Sequence, residues 1–305
     1  YFAGKDDCEI IGVYNRRPPF DHPGIRWVKA NLTDPSQVAT LVEGIDVVIQ
    51  AAATTSGIKD VFAQPHIHIT DNAVMNSYLF RAAYESQVSH VVFFSCTVML
   101  HSSATPLREQ DFDANTELHP RYFGAGWTKV YLEKMCEFFS RLGSTKFTAI
   151  RHSNIFGPHD KFDLERSHVF GATVTKVMNA ADTVTVWGKG EEARDLLYID
   201  DLVYMVERVL EKQKDPFSVY NCGCGTAIKI RDLVARIIAA SGKSLTVKHD
   251  LSKPTIPTSL SLDCGKAHTE LGWQPRISLD VGIRKTLEWW RQNVRDGVAD
   301  SPRSN

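Results

Sequence analysis

The chain has 305 residues, of which 43% are hydrophobic and 23% charged, with a formal net charge of −1. That composition excludes a disordered chain and suits either one large α/β domain or a nucleotide-binding domain with a smaller partner. The balanced charge removes the electrostatic case for nucleic acid as a partner. No apolar run approaches the ~20 residues needed to cross a bilayer, so no membrane partner is expected.

In chain order, Tyr1–Asp7 carries no signal-peptide pattern. Glu9–Tyr14 and Arg26–Lys29 read as short strands, and Pro35–Val42 as a helix that Thr33 or Asp34 can cap. Val47–Ala52 is apolar but for Gln50, as expected of a buried parallel strand. A helix over Asp71–Ser86, a strand at His90–Phe94, a helix over Phe123–Leu142 and a strand at Phe147–Arg151 follow. This alternation implies βαβ units and a doubly wound parallel sheet of Rossmann type. After Arg151 the pattern changes. A polar loop, Gly157–Ser167, leads to a helix near Val169–Ala180 and a strand at Val184–Trp187. Leu196–Ile199 and Ser218–Asn221 are expected to return to the main sheet, and Lys229–Ala240 and Asp280–Asn293 are amphipathic helices. With no repeat or low-complexity linker, two interleaved lobes are expected. Residues 1–156 form the dinucleotide-binding lobe, to which 195–225 return; 157–194 and 226–300 form a smaller substrate-binding lobe.

A Rossmann-type sheet opens with a strand, a glycine-rich turn and a helix whose N-terminus receives the pyrophosphate. No such turn precedes Cys8, and the first strand has the character of the second strand of that fold. An N-terminal fragment of the fold is therefore expected. Residues just after that strand choose between dinucleotides. An acid there binds the ribose 2′-hydroxyl, whereas arginine accommodates a 2′-phosphate. Here Tyr14-Asn15-Arg16-Arg17 has two arginines and no acid. NADP is the expected cofactor, with NAD as the other possibility; solvated arginines in a polar turn are the plainer reading. Ala51-Ala52-Ala53 ends a strand with side chains small enough for a dinucleotide to approach the backbone. Asn72, at a helix start, reads as a cap or a cofactor contact.

The six cysteines have no framework spacing, and Cys222 and Cys224 form a lone C-x-C without a partner pair. Structural thiols in a reducing cytoplasm are expected, and no metal site.

Several motifs carry a resemblance. They are Asn154-Ile155-Phe156-Gly157-Pro158-His159-Asp160 through Ser167-His168-Val169, then Val186-Trp187-Gly188-Lys189-Gly190, then Arg194-Asp195-Leu196-Leu197-Tyr198-Ile199-Asp200-Asp201-Leu202. Ser252-Lys253-Pro254, Leu262-Asp263 and Leu271-Gly272-Trp273 follow. Together they resemble the extended short-chain dehydrogenase/reductases of the NAD-dependent epimerase/dehydratase family, in particular the GDP-fucose synthases. The resemblance covers nearly the whole chain. It implies hydride exchange at C4, with epimerisation at C3 or C5, of a nucleotide-linked sugar, a GDP-linked substrate, a nicotinamide cofactor and a homodimer.

In that family a tyrosine moves the hydroxyl proton, a lysine four residues later lowers its pKa and holds the nicotinamide ribose, and a Ser/Thr binds the sugar oxygen. Residues four apart share a helix face. Lys129 matches the lysine, but the tyrosine position holds Ala125, which has no proton to give. A natural binding protein, a branch with another proton donor and an engineered Tyr→Ala variant all remain open. Tyr122, seven residues before Lys129, reads as a packing residue. The hydroxyl position falls at Cys96, with Ser95 and Thr97 on either side as candidates; Val98 stands where the GDP-fucose synthases have a catalytic cysteine. Cys96 reads equally as a buried apolar thiol. By the same resemblance His168 is the second acid/base residue. Arg194 meets the diphosphate, or else pairs at the surface with Asp195 or Glu192. Trp187 lines the nucleotide pocket or packs in the core. Asn154, Val169 and Lys253 contact substrate, and Asn31 lies near adenine. His159 reads as shaping a turn.

Overall fold

The computed structural model describes residues 1–54, 64–164, 167–253 and 255–294. Pro254 and residues 295–300 of the expected substrate lobe lie outside them, as do 165 and 166 of the polar loop. Two parallel sheets carry the first lobe. β1 (Ile10–Tyr14) pairs with β2 (Ile25–Lys29), and β3 (Val47–Gln50), β4 (His90–Ser95), β5 (Lys146–His152) and β9 (Phe217–Cys222) lie side by side in that order. Between and around them run α1 (Pro35–Val42), α2 (Thr70–Glu85), α3 (Phe123–Ser140) and α5 (Ile199–Lys212). The Asp34 carboxylate accepts from the amides of Ser36 and Gln37, so it is the cap that starts α1.

Strand periodicity decides which residues go to which face. On β4, Val91 and Phe93 join the core beneath α1, α2 and α3, with Phe80, Leu132 and Phe147. Val92 joins the opposite core beneath α5, with Ile150, Met205, Tyr220 and Trp273. β3 departs from expectation. Val47 and Ile49 are each 38% exposed rather than buried, because among the described residues β3 is the edge of its sheet and pairs with β4 alone.

The second lobe contains β6 (Asn154–Phe156), α4 (Val169–Asn179), β7 (Thr183–Trp187), β8 (Ala193–Tyr198), β10 (Ala227–Lys229), α6 (Ile230–Ser241), β11 (Thr246–Asp250), β12 (Ser259–Leu260) and α8 (Leu279–Asn293), whereas α7 (Gly265–Leu271), expected in this lobe, packs through Ala267 and Leu271 into the first lobe's core beneath α5. Its core gathers Phe156, Phe170, Leu196, Tyr198, Leu233 and Leu287. Residues 196–199 do not return to the main sheet. β8 is instead the centre of a separate sheet, flanked by β10 and β12 and also paired with β6. The reason lies in its side chains: Leu196 and Tyr198 face the second core, while Leu197 faces the first. β8 is thus the wall between the lobes. Ser218–Asn221 does return, as β9 against β5.

The lobes are also stitched by the chain after β4. Ser103 N donates to Ser259 O and Leu107 N to Ser261 O, each at 2.9 Å, and Asp263 N donates back to Leu107 O at 2.8 Å. Among the described residues no helix is long and apolar enough to cross a membrane.

Candidate active site

The carboxyl ends of β4 and β5 open onto a cleft of about 300 Å³ between the lobes. Thr97, Val98 and His101 reach it from the β4 exit, and Ser153 and Asn154 from the β5 exit. Arg194 and Asp195 reach it from β8, and Thr258, Leu260 and Leu262 from the segment around β12. Glu117, His119 and Tyr122, none foreseen as functional, complete it from the approach to α3. Ligands of open α/β sheets bind at this edge, outside the carboxyl ends of the strands. A second hollow, under Tyr84, Glu85 and Gly143, sits where the chain enters β4 and β5, at the opposite edge.

Of the expected substrate contacts, Thr97, Asn154 and Arg194 converge. The Asn154 amide donates to Asp195 O at 3.1 Å, which holds it beside β8. Arg194 forms no surface ion pair with Asp195 or Glu192. Its guanidinium donates to the carbonyls of Ala193 (2.9 Å), Ile256 (3.1 Å) and Thr258, fixing the strap that leads into β12. Asp195 is 2% exposed and accepts the amides of Cys224 (2.8 Å), Gly225 (3.2 Å) and Leu262 (3.1 Å). Burial nevertheless raises its carboxyl above the ordinary range. Arg194 therefore has no carboxylate partner in direct contact among the described residues, and with three of its five N–H donors on carbonyls, two are left for an anion.

The β4 exit is set by a buried network. Ser95 donates to Glu133 Oε1 at 2.6 Å, and Arg151 grips Glu133 with Nη2 at 2.7 Å and Nε at 3.0 Å. Arg151 also donates to Glu109 O at 2.9 Å. The Ser95 hydroxyl is spent here and fully buried, which removes it as a sugar contact. Thr97 is the hydroxyl that the cleft receives. Cys96 lies half-buried behind it, and burial pushes its thiol up against the pull of Lys129.

Lys129 lies inward, its ammonium donating to Phe94 O at 2.7 Å and sitting 4.6 Å from the Phe93 ring centroid. Burial pulls it below the ordinary lysine value, and the Cys96 and Glu133 charges oppose that. Ala125 is half-buried on the first turn of α3, between two glycines set by close approach. A Cβ on Gly126 would stand 2.7 Å from Leu118 Cδ1, and one on Gly124 would run into Ile69. Those glycines, unfavourable for a helix start, let α3 press against the β4 exit and the entry to α2.

The other expected residues lie apart. His168 precedes α4 with its ring reaching solvent; the protein packed around it, then the charges of Lys161 and His68, hold its imidazole below the ordinary value. Val169 is the first residue of α4, its carbonyl taken by Thr173 Oγ1 at 2.6 Å. Trp187 ends β7, half-buried, with Lys176 Nζ 5.0 Å and Lys253 Nζ 6.0 Å from its ring centroid. His159 takes a left-handed turn (φ 64°) and rests on Trp289, with ring centroids 4.7 Å apart.

On the cofactor side, Asn15, Arg16 and Arg17 are exposed beyond β1, and Ala51, Ala52 and Ala53 are exposed beyond β3. Asn31 follows β2, but its side chain accepts the Thr33 amide (3.1 Å) and hydroxyl (2.9 Å), a local turn role. Asn72 does not cap α2; its side chain clamps Thr54 through the amide (3.0 Å) and the carbonyl (2.9 Å). All six cysteines are free, and among the described residues no cluster could hold a metal ion.

A parallel sheet covered by helices, with its carboxyl edge opening onto a polar cleft against a second lobe, defines a Rossmann-type α/β protein. Residues 1–223 match the model of the NAD dependent epimerase/dehydratase family, and the chain belongs to that family. It is 30% identical over 264 residues to GDP-L-fucose synthase of Escherichia coli (strain K12), covering 82% of each chain. With GDP-L-fucose synthase of Sinorhizobium fredii it shares 28% identity over 303 residues, 96% of this chain and 90% of the relative. Its fold matches a UDP-glucose 4-epimerase from Thermotoga maritima, solved with UDP-glucose, with a TM-score of 0.82 at 22% identity, over 92% of this chain and 90% of that one.

Proposed function

We propose that the chain is a nucleotide-sugar epimerase/reductase that acts at C4 of a GDP-linked keto-deoxy sugar with a nicotinamide cofactor. The observation that carries this reading is the convergence of Thr97, Asn154 and Arg194 on one cleft at the carboxyl edge of the sheet. A guanidinium without a carboxylate partner suits a diphosphate, and a hydroxyl and an amide suit sugar oxygens. The GDP assignment rests on the two relatives named GDP-L-fucose synthase.

The described residues fit a dinucleotide along that edge. Arg16 and Arg17 would hold a 2′-phosphate, which favours NADP, and Ala51, Ala52 and Ala53 leave the backbone approachable. Lys129 has used one of its three N–H donors on Phe94 O, leaving two to hold a ribose. When bound, the cofactor supplies or accepts the hydride. The chain's own work is to anchor the diphosphate at Arg194 and orient the sugar with Thr97 and Asn154; Trp187 and Lys253, outside this cleft, are further substrate-contact candidates. His168 is the second acid/base candidate. A homodimer is supported by Tyr78, Tyr131 and Phe138, which α2 and α3 leave 36%, 50% and 55% exposed. Six free thiols support a reducing, cytoplasmic setting.

Ala125 favours a second reading, a protein that binds nucleotide sugar without turning it over. Mixing the protein with NADPH and GDP-4-keto-6-deoxymannose and following the loss of NADPH absorbance separates the two. Steady consumption is the expected result. Tight binding of both ligands with no consumption would favour the second reading.

A further inference from the structure

The family's tyrosine position is Ala125, yet the cleft is not without a phenol. Tyr122 stands on the short 3-10 turn Pro120–Tyr122, directly before α3. Counted along an α-helix, it would stand two turns, about 10 Å, from Lys129. The turn cancels that count, because it carries the side chain into the cleft beside Thr97, Asn154 and Arg194. The turn is itself held in place, with His119 Nδ1 accepting the Arg121 amide at 3.3 Å and Tyr122 N donating to His119 O at 2.7 Å.

We propose that Tyr122 is the proton-exchanging group of this cleft, taking the place of the tyrosine that Ala125 lacks. The inference rests on the reading of the cleft as a nucleotide-sugar site. Three features support it. First, the Tyr122 hydroxyl has no hydrogen-bond partner among the described residues, so it is uncommitted toward a ligand. Second, its neighbours in the cleft are poorly suited to exchange a proton: Arg194 keeps its charge, and Asp195 is held by three amides. His101 and Glu117 are exposed. Third, the phenol is close enough to Arg194 and to Cys96 to feel both. Burial raises its pKa, the Arg194 charge lowers it, and the Cys96 thiol raises it.

In the reducing direction the C4 carbonyl carbon gains a hydride from a reduced nicotinamide, and the carbonyl oxygen gains the Tyr122 phenolic proton. The C=O double bond becomes a C–O–H group, the nicotinamide is oxidised, and the phenolate left on Tyr122 recovers a proton from water. The reverse reaction takes the proton from the C4 hydroxyl onto the phenolate. The neighbouring Arg194 charge stabilises that phenolate.

Three proteins test this: the parent, Tyr122→Phe and Ala125→Tyr. Each is titrated calorimetrically with the GDP-sugar, unfolded in urea, and assayed for NADPH consumption. Tyr122→Phe is expected to lose kcat by about 10²–10⁴-fold, the usual worth of one acid–base group, with Kd and urea midpoint unchanged. In the free protein, phenolate absorbance during a pH titration should shift on addition of GDP, and Tyr122→Phe should abolish that shift. Turnover by Tyr122→Phe close to the parent's would overturn the proposal. So would a loss seen only in Kd or stability, an absent GDP-induced shift, or a parent that binds but idles until Ala125→Tyr supplies a hydroxyl. A parent that binds no nucleotide sugar at all would remove the reading of the cleft, and this inference with it.

Discussion

Glu133→Met tests what holds the β4 exit in position. Both members of the Glu133–Arg151 pair have side chains only 6% exposed, and the contact is two-pronged, at 2.7 and 3.0 Å. Removing one partner of such a pair leaves a charge in a low-dielectric interior, which costs about 3–5 kcal/mol. Ser95 would also lose its acceptor, and a hydrogen bond of that kind is worth about 1 kcal/mol. Replacing both ions is different. In Glu133→Met/Arg151→Met no charge is stranded, and a buried pair exchanged for apolar groups is often near neutral, within ~1–4 kcal/mol on the favourable side. Only the hydroxyl of Ser95 and the carbonyl of Glu109 are then short of partners, at about 1–3 kcal/mol each. The double variant should therefore be more stable than Glu133→Met alone. Urea unfolding with a constant m-value reads both differences. A single-variant loss below ~1 kcal/mol, or a double variant no better than the single, would refute the reasoning.

His90 should make stability fall on acidification. It is buried beside Thr148 Oγ1 at 2.7 Å, and burial, then the Lys146 charge, pulls its pKa from 6.5 to about 4. The unfolded chain takes the proton first as pH drops, so this contribution is whole above pH 6.5 and lost by about pH 4. His90→Gln should flatten that fall by up to about 3 kcal/mol, at 1.36 kcal/mol per pH unit, and an unchanged slope would count against the assignment. Arg16→Ala with Arg17→Ala should weaken NADPH binding, followed by fluorescence, and leave NADH untouched; equal losses for both would return the arginines to the solvated-turn reading.

The alternation of strands and helices was legible because buried strands and amphipathic helices have periods that sequence shows directly. What escaped depended on neighbours. The apolar run at Val47–Ile49 has a buried strand's composition, but exposure is set by which strands pair, not by composition. The Leu196–Tyr198 segment has apolar side chains for both faces, which suits a wall between lobes as well as a strand in the main sheet. In the site, Thr97 and Arg194 were legible through the family resemblance, as a hydroxyl candidate beside Cys96 and as the diphosphate arginine. The roles of Ser95 and Asp195 were not, since both are settled by partners distant in sequence: Glu133, and the Cys224, Gly225 and Leu262 amides. Tyr122 reads as a packing residue because it lies two helical turns before Lys129, but the 3-10 turn Pro120–Tyr122 aims it into the cleft instead. A proline two residues before a tyrosine was the one available signal that α-helical counting stops there.

The most direct test of the nucleotide-sugar cleft is calorimetric titration of GDP-mannose into the parent and into Arg194→Ala, with UDP-glucose as the comparison. Arg194 faces the cleft without a carboxylate in direct contact among the described residues, and a charge-assisted hydrogen bond of this kind is worth about 1.5–3 kcal/mol. The account predicts saturable GDP-mannose binding by the parent, weaker binding of UDP-glucose, and a loss of that size in Arg194→Ala with its fold intact. Equal binding of GDP-mannose by the parent and by Arg194→Ala, or no binding of either nucleotide sugar, would contradict it.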